Sequence, residues 1–113
     1  MDKDLVAAST RPMVLSVLAQ GESYGYALIQ RVRELSGGRL EWSDGMFYPV
    51  LHRLEKEGLV EAVWRTAETG RRRKYYRIAT TGRTELARQR QQWMAVHETF
   101  RQLWDMEGGL CPS

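Results

Sequence analysis

Four consecutive cationic residues follow a glycine in the stretch TGRRRKYY: Arg71, Arg72, Arg73 and Lys74. Guanidinium and ammonium groups bind phosphate oxygens, and arginines in such positions commonly contact a DNA backbone or enter its minor groove. The net charge of the chain is only +3, yet residues 62–90 hold nine of its 17 basic side chains. This concentration predicts a contact with a polyanion, with a solvated charge run as the alternative.

The stretch SDGMFYPVLHRLEK predicts a helix with one polar face. Its apolar positions recur at i, i+3, i+4 and i+7, the spacing of one buried helical face: Phe47, Val50, Leu51 and Leu54. Ser43 is placed as the N-cap and Gly58 as the C-terminal stop. The opposite face carries side chains able to donate, accept and stack against base edges in a major groove: Asp44, Tyr48, His52, Arg53 and Lys56.

Two runs after this helix predict a β-hairpin with a basic tip. Residues 59–65 and 74–78 are rich in Val, Trp, Tyr and Ile, and the connection between them contains Gly70. Alternation places Tyr76 in the core and Tyr75 nearer DNA. The predicted DNA-binding residues are Ser43, Asp44, Gly45, Tyr48, His52, Arg53, Arg71, Arg72, Arg73, Lys74 and Tyr75. Tyr48 and His52 have an alternative place, partly buried against the hairpin.

Two helices precede the polar one. The first spans residues 10–19, with an apolar stripe that includes Val14, and residues 1–9 either extend it or fray. The second spans residues 24–35 and is capped by Ser23, with Leu28, Ile29, Val32 and Leu35 buried. Gly25 in its first turn suggests close approach by another helix or by a phosphate. Trp42 and Trp64 are assigned to the core or to hinge packing. Three helices followed by a hairpin predict a winged helix.

A long fourth helix, capped by Thr80 or Thr81, is predicted to reach about Met106. One side of it carries an apolar stripe: Leu86, Trp93, Val96, Phe100 and Leu103. Little chain remains to cover this stripe, so it requires its own domain or another copy of itself, and we assign it to a dimer interface. The fold class is therefore mainly α with a small β-hairpin, divided into a winged helix-turn-helix domain (1–79), a dimerisation helix (80–106) and a flexible tail (107–113).

Composition narrows the functional classes. No apolar run approaches a membrane span and the first residues lack a signal-peptide layout, so we expect a cytoplasmic protein without a membrane partner. The single cysteine, Cys111, is interpreted as a tolerated terminal thiol. His52 and His97 have no cysteine, serine motif or carboxylate cluster nearby, so we expect neither an enzyme nor a metal or cofactor site.

The chain resembles the PadR family of bacterial transcriptional regulators, in particular its small subfamily with a single C-terminal helix, from about Met13 to Leu103. Three segments carry the resemblance: LSVLAQGESYGYALIQRV, MFYPVLHRLEKEGLVEAVW and TGRRRKYYRI, the last followed by Thr81, Gly82 and Arg83. Pro49, awkward by general helix rules, is ordinary in this family's third helix. Ala79 departs from the pattern, because a threonine usually precedes the fourth helix.

The resemblance implies a homodimeric winged-helix repressor that binds an inverted-repeat operator in double-stranded DNA. Some small members also bind planar hydrophobic compounds at the dimer interface. A two-fold axis near Trp93 would produce a facing pair of indoles able to hold such a planar aromatic effector, with Met94, His97 and Val14 as further ligand-binding candidates. Trp93 packing the dimer core without a slot is the alternative. For the whole protein, a protein-binding adaptor without operator binding is the alternative.

Overall fold

The computed structural model describes residues 1–110 and the side chains of residues 1–107. Four α-helices and a three-stranded sheet follow one another in a winged-helix order. They are α1 (Lys3–Gln20), β1 (Ser23–Tyr24), α2 (Gly25–Leu35), α3 (Asp44–Lys56), β2 (Val60–Thr66), β3 (Arg72–Ile78) and α4 (Thr80–Leu110). The predicted fold class is confirmed. No helix among the described residues is both long enough and apolar enough to cross a membrane.

Helix α3 begins and ends as its sequence predicts. The Met46 N–H donates to the Ser43 hydroxyl, 3.3 Å away, so the N-cap is confirmed. At the other end Gly58 adopts φ +77°, a left-handed conformation that glycine reaches without the strain of a Cβ. The Leu59 N–H then reaches back to the Leu54 carbonyl at 2.9 Å, which closes the helix and turns the chain into β2.

The sheet has one strand more than the predicted hairpin. β3 lies in the centre, antiparallel to β2 on one side and to the two-residue β1 on the other. Ser23 pairs with Tyr76 and Tyr24 with Tyr75. Ser23 is therefore a strand residue, and the prediction that it caps α2 is wrong: Tyr24 precedes the helix and makes no side-chain cap bond. Two residues are too few to show a period, so β1 had no sequence signal.

One core joins α1, α2, α3, the sheet and the start of α4: Val14, Leu15, Leu18, Leu28, Val32, Leu40, Trp42, Phe47, Leu51, Leu54, Val60, Tyr76, Ile78 and Leu86. Trp42 stacks on Phe47 with ring centroids 5.4 Å apart, and Tyr76 is buried as predicted. Two predicted core residues are instead exposed. Leu35 is 62% accessible because it lines an open cleft between α1 and the end of α2, and Trp64, towards the tip of the hairpin, is 56% accessible.

The start of α4 is fastened to the junction between α3 and β2. The helix begins at Thr80, and the Ala79 carbonyl accepts from the Arg83 N–H, so Ala79 holds the N-cap position predicted for Thr80 or Thr81. The Thr81 hydroxyl instead donates to the Gly58 carbonyl at 2.7 Å. A Cβ added to Gly82 would lie 2.1 Å from the Leu59 carbonyl oxygen, so only glycine allows this contact.

Helix α1 takes the extended form of the two alternatives predicted for residues 1–9, and helix α4 runs further than predicted. Helix α1 begins at Lys3, where the Asp2 carboxylate accepts from the Asp4 N–H at 2.9 Å, so residues 3–9 extend it. Helix α4 continues beyond Met106 through Leu110, so it occupies part of the predicted tail; residues 111–113 of that tail, with Cys111, lie outside the described residues.

The distal part of α4 leaves the body of the protein. The chain measures 65 × 29 × 22 Å, with a radius of gyration of 17.2 Å. A compact chain of this length would have a radius of gyration of about 13 Å. Residues 91–107 are all exposed, so half of the longest helix has no partner within the protomer.

Candidate nucleic-acid interface

The outward face of α3 is a continuous stripe. Its exposed residues follow the spacing i, i+4, i+7, i+8 and i+11: Gly45, Pro49, His52, Arg53 and Lys56. Ser43 and Asp44 are exposed at its start. The structure thus brings the predicted helix residues to one surface, except for Tyr48. Sequence reasoning treated Pro49 only as a helix irregularity, although its spacing from Gly45 and Arg53 already assigned it to the outward face.

Tyr48 is half-buried because it packs against α2. A Cβ added to Gly25 would lie 2.6 Å from the Tyr48 hydroxyl oxygen, so the glycine allows the ring to lie against the α2 backbone. The close approach predicted at Gly25 is therefore a contact with another helix. Burial raises the pKa of the Tyr48 phenol, and the Asp44 carboxylate raises it further. Tyr48 sets the distance between α2 and α3, and a DNA contact by its hydroxyl stays a prediction.

The hairpin tip is a tight turn that exposes the first cations. Gly70 adopts φ +82°, and the Ala67 N–H donates to the Arg71 carbonyl at 2.8 Å across the turn. Arg71 and Arg72 are exposed. Along β3 the side chains alternate, so Arg72 and Lys74 share a face with the buried Tyr76, while Arg73 and Tyr75 lie on the other.

The cations of the hairpin differ in what they contact. Lys74 lies 3.3 Å from Glu55 of α3 and forms an ion pair with it. Arg73 stacks over the Tyr24 ring, with its guanidinium carbon 4.2 Å from the centroid, and Tyr75 packs edge-on against that ring at 5.4 Å. These three predicted DNA-binding residues therefore also hold the hairpin against α3 and β1. None of Arg71, Arg72 and Arg73 forms an ion pair within the described part of the chain, and Arg72 lies over the Trp64 ring.

Two further cations of the sheet are neutralised by acids. Arg65 forms a two-pronged ion pair with Glu22, in the loop before β1, and the hydrogen bond from Arg65 lowers the pKa of that carboxylate. Arg77 pairs with Glu61 at 2.9 Å across the β2–β3 ladder. The excess positive charge seen in the sequence is therefore partly cancelled, and what remains free is concentrated at the hairpin tip.

A second surface lies on the distal part of α4. Its large exposed apolar residues are Trp93, Met94, Val96, Phe100, Leu103, Trp104 and Met106. Phe100 and Trp104 stack with centroids 5.1 Å apart. Trp104 and Met106 were not predicted for this surface, although Trp104 lies four residues after Phe100 on the same side. The assignment of Leu86 to the dimer interface is wrong, because Leu86 is 5% exposed and packs in the protomer's own core.

A cleft of about 290 Å³ separates α1 from α4. Its lining is mostly apolar: Ser9, Pro12, Met13, Ser16, Leu86, Arg90, Trp93 and Met94. Two of the predicted ligand-binding residues, Trp93 and Met94, therefore lie at one cleft. Val14 does not, because it is fully buried in the core and has no surface to offer a ligand, so its assignment is wrong. His97 is exposed one turn beyond Trp93 and does not line the cleft.

Known proteins are similar to this chain in both sequence and architecture. The profile of the family described as "Transcriptional regulator PadR-like family" matches residues 14–88. A transcriptional regulator of Mycobacterium tuberculosis is 35% identical over 101 residues, which cover 89% of this chain and 88% of that protein. Among solved structures, a PadR-like transcriptional regulator from Bacillus cereus superposes with a TM-score of 0.80 at 29% identity, over 90% of this chain and 97% of that one. A PadR family regulator from Clostridium difficile gives 0.73 at 27% identity, over 85% and 98%.

Proposed function

This chain belongs to the PadR-like family of transcriptional regulators, and from that premise we propose that it is a repressor that binds an inverted-repeat operator as a homodimer. Family membership confirms the prediction of a DNA-binding transcription regulator rather than an enzyme. Repression, the operator and the dimer belong to the proposal, as does a cytoplasmic location beside the chromosome.

One observation carries the proposal: an exposed helical stripe lies beside a hairpin tip with uncompensated arginines. A major groove admits an α-helix, and on the exposed stripe of α3 the side chains of His52, Arg53 and Lys56 can donate to base edges or phosphates. Asp44 can accept from cytosine N4, but it repels phosphates, so it favours a defined register over general affinity. Arg71 and Arg72 supply the phosphate contacts on the hairpin side.

Helix α3 and the hairpin tip should therefore have separable effects on DNA binding. We expect Arg53→Ala to change which fragments bind, because base-edge contacts set sequence preference. Arg71→Ala with Arg72→Ala should weaken binding to every fragment and flatten the dependence of log K on log salt by about one unit per lost phosphate contact. Gel shifts on genomic fragments flanking the gene, repeated over a salt series, measure both effects.

Arg77→Ala is the matched control for the tip variant, since it also removes a cation from β3 but one already paired with Glu61. Its salt slope should stay close to that of the unaltered protein. If the salt slope of the variant with both Arg71→Ala and Arg72→Ala were unchanged, the two arginines would be a solvated charge run that contacts no phosphate. Failure of the unaltered protein to retard any duplex, even at low salt, would overturn operator binding altogether.

The exposed face of α4 is best occupied by a second copy of this chain. Half of a 31-residue helix lies outside the body with its apolar stripe uncovered. The net charge along α4 is also divided: the part before Trp93 has a net charge of +2 and the part after it −2, from Arg83, Glu85, Arg88 and Arg90 on one side and Glu98, Arg101, Asp105 and Glu107 on the other. An antiparallel pair about a two-fold axis near Val96 brings the basic half of one helix beside the acidic half of the other.

We also propose that a planar aromatic compound binds beside Trp93 and lowers operator affinity. The support is the apolar cleft between α1 and α4, which Trp93 and Met94 border. Such a ligand acts only if it prefers a dimer whose two α3 helices are wrongly spaced for successive major grooves. Ligand and operator must then weaken each other's binding by the same factor.

Quenching of tryptophan fluorescence by planar cationic dyes tests this ligand site. Trp93→Ala should remove most of the saturable quenching, whereas Trp104→Phe, a matched control on the same helix, should keep it. Equal quenching in the unaltered protein and in Trp93→Ala would assign the dye to Trp42, Trp64 or Trp104. Trp93 would then only pack the dimer.

A further inference from the structure

Trp64 is a large aromatic residue left open on the hairpin. More than half of its surface, 56%, is accessible, whereas the other tryptophan of the winged-helix body, Trp42, is 5% accessible. An exposed indole forgoes much of the hydrophobic stabilisation that burial of so large a ring would provide. Burial in the protomer therefore does not explain why a tryptophan occupies this position.

The strand register places this indole beside Arg72. On β2, Val60, Ala62 and Trp64 share one face; Val60 is buried in the core, and the face then continues beyond the body. Trp64 pairs with Lys74 on β3, and Arg72 lies one step closer to the tip on the same face. The Arg72 guanidinium carbon is 5.2 Å from the centroid of the indole. A flat cation over an aromatic face at this distance is a cation–π pair.

This face of the hairpin is the one turned towards α3. Lys74, opposite Trp64, forms an ion pair with Glu55 of α3 at 3.3 Å. Arg72 is therefore the first cation on this face without an acidic partner among the described residues. The Arg72 side chain is long and lies near a turn, so an unrestrained guanidinium would sample many rotamers and lose that freedom on binding. The indole limits that freedom before any ligand arrives.

We propose that Trp64 is a positioning residue of the DNA interface: its indole holds the Arg72 guanidinium on the α3 side of the hairpin, aimed at a DNA phosphate. Stacking uses the face of the guanidinium and leaves its N–H groups, which lie in the plane, available to phosphate oxygens. This inference rests on the proposed DNA binding. Trp64, which carries no charge, thereby joins the residues that determine DNA affinity.

The test is a double-mutant cycle between Trp64 and Arg72, measured as binding to a labelled mixed-sequence duplex of about 30 base pairs, long enough for two half-sites one helical turn apart. Trp64→Ala should weaken binding about two- to fivefold, the range of an exposed cation–π pair. The same substitution in an Arg72→Ala background should change nothing. Trp64→Phe, which keeps an aromatic face, should retain most of the affinity, and Trp64→Leu, which keeps only apolar cover, should behave as the alanine variant.

Arg65→Ala is the matched charge control, because Arg65 follows Trp64 on β2 but is already paired with Glu22. Only Arg72→Ala should flatten the salt dependence. Additive effects of the Trp64 and Arg72 substitutions, or full affinity in Trp64→Leu, would overturn the positioning role while leaving the proposed function intact. No binding by the unaltered protein, with circular dichroism showing it folded, would instead refute the proposed function on which the inference depends.

Discussion

At the scale of single residues, two helical glycines have different physical reasons for being glycine. Gly45 and Gly82 both lie in the first turn of a helix and neither adopts a positive φ. A Cβ on Gly82 would collide with the Leu59 carbonyl, whereas a Cβ on Gly45 would meet no atom within 4 Å. Packing within the protomer therefore requires a glycine at Gly82. Packing does not require one at Gly45, so a requirement there would come from a partner outside the protomer.

We expect Gly82→Ala to destabilise the protein by about 1–3 kcal/mol, the usual cost of overpacking. Gly45→Ala should leave stability unchanged or raise it by up to about 1 kcal/mol, because alanine is the better helix former. The same Gly45 substitution should weaken operator binding if α3 lies in the major groove as proposed, since it adds bulk at the exposed start of the helix. Urea unfolding and gel shifts measure the two effects; full DNA affinity in Gly45→Ala would remove Gly45 from the interface.

Glu85 gives a residue-scale prediction about pH. Hydrogen bonds from Arg88 and Gln89 lower the pKa of its carboxylate from 4.5 to about 2. A group whose pKa is lower in the folded state stabilises that state above its unfolded pKa, so the contribution of Glu85 is complete above pH 4.5 and is lost as pH falls towards 2. In Glu85→Gln the free energy of unfolding should therefore decline less steeply over that interval.

Urea unfolding across that pH interval checks the Glu85 prediction. Glu68→Gln, which neutralises an exposed carboxylate of the hairpin turn, is the control for the change in net charge. Identical slopes in Glu85→Gln and in the unaltered protein would show that the Glu85 contacts persist in the unfolded chain or contribute little.

At the scale of elements, the joint between α3, β2 and α4 decides the direction in which α4 leaves the body. The Thr81 hydroxyl donates to the Gly58 carbonyl at 2.7 Å, and the Ala79 N–H donates to the Leu59 carbonyl at 2.9 Å. Both bonds link the start of α4 to Gly58 and Leu59, which connect α3 to β2. The start of α4 is therefore held to the end of α3 by a short, hydrogen-bonded connection.

Thr81→Val should cost about 1 kcal/mol of stability, because it removes one intramolecular hydrogen bond while keeping the branched shape of the side chain. Thr84→Val is the matched control on the same helix, since the Thr84 hydroxyl makes only a 3.4 Å contact with the Thr80 carbonyl. Thermal unfolding compares the two. Equal losses would show that the joint draws its stability from the Gly82 contact instead.

At the scale of the whole molecule, the protomer is an extended shape with an unfilled face. Its length of 65 Å is more than twice either of its other dimensions, because α4 extends away from the core. A dimer about α4 would cover the stripe from Trp93 to Trp104 and fix the separation of the two α3 helices. The spacing of half-sites in the operator is then a property of the dimer rather than of the protomer.

Phe100→Glu should convert the dimer to a monomer, because it buries a carboxylate in the centre of the apolar stripe. Gln91→Glu adds the same charge to the opposite side of α4 and should leave the dimer unchanged. Sedimentation at micromolar protein concentration distinguishes the two states. A folded monomer for the unaltered protein under these conditions would contradict the proposed interface.

The sequence alone was sufficient for the features that depend on near neighbours in the chain. The spacing of Phe47, Leu51 and Leu54 predicted the buried face of α3, and Ser43 and Gly58 predicted its ends. Alternation assigned Tyr76 to the core. These signals are local because capping, helical periodicity and strand alternation each involve residues only a few positions apart.

Tertiary structure decided what lies opposite each side chain. The stripe on α4 was predicted as one surface, yet Leu86 faces the core and Phe100 faces solvent, because only the start of the helix passes over the body. The run of four cations was read as one group, yet Lys74 meets Glu55 and Arg72 meets Trp64. Exposure and ion pairing depend on residues distant in the chain, and a single sequence contains the spacing of side chains but not the position of the element that faces them.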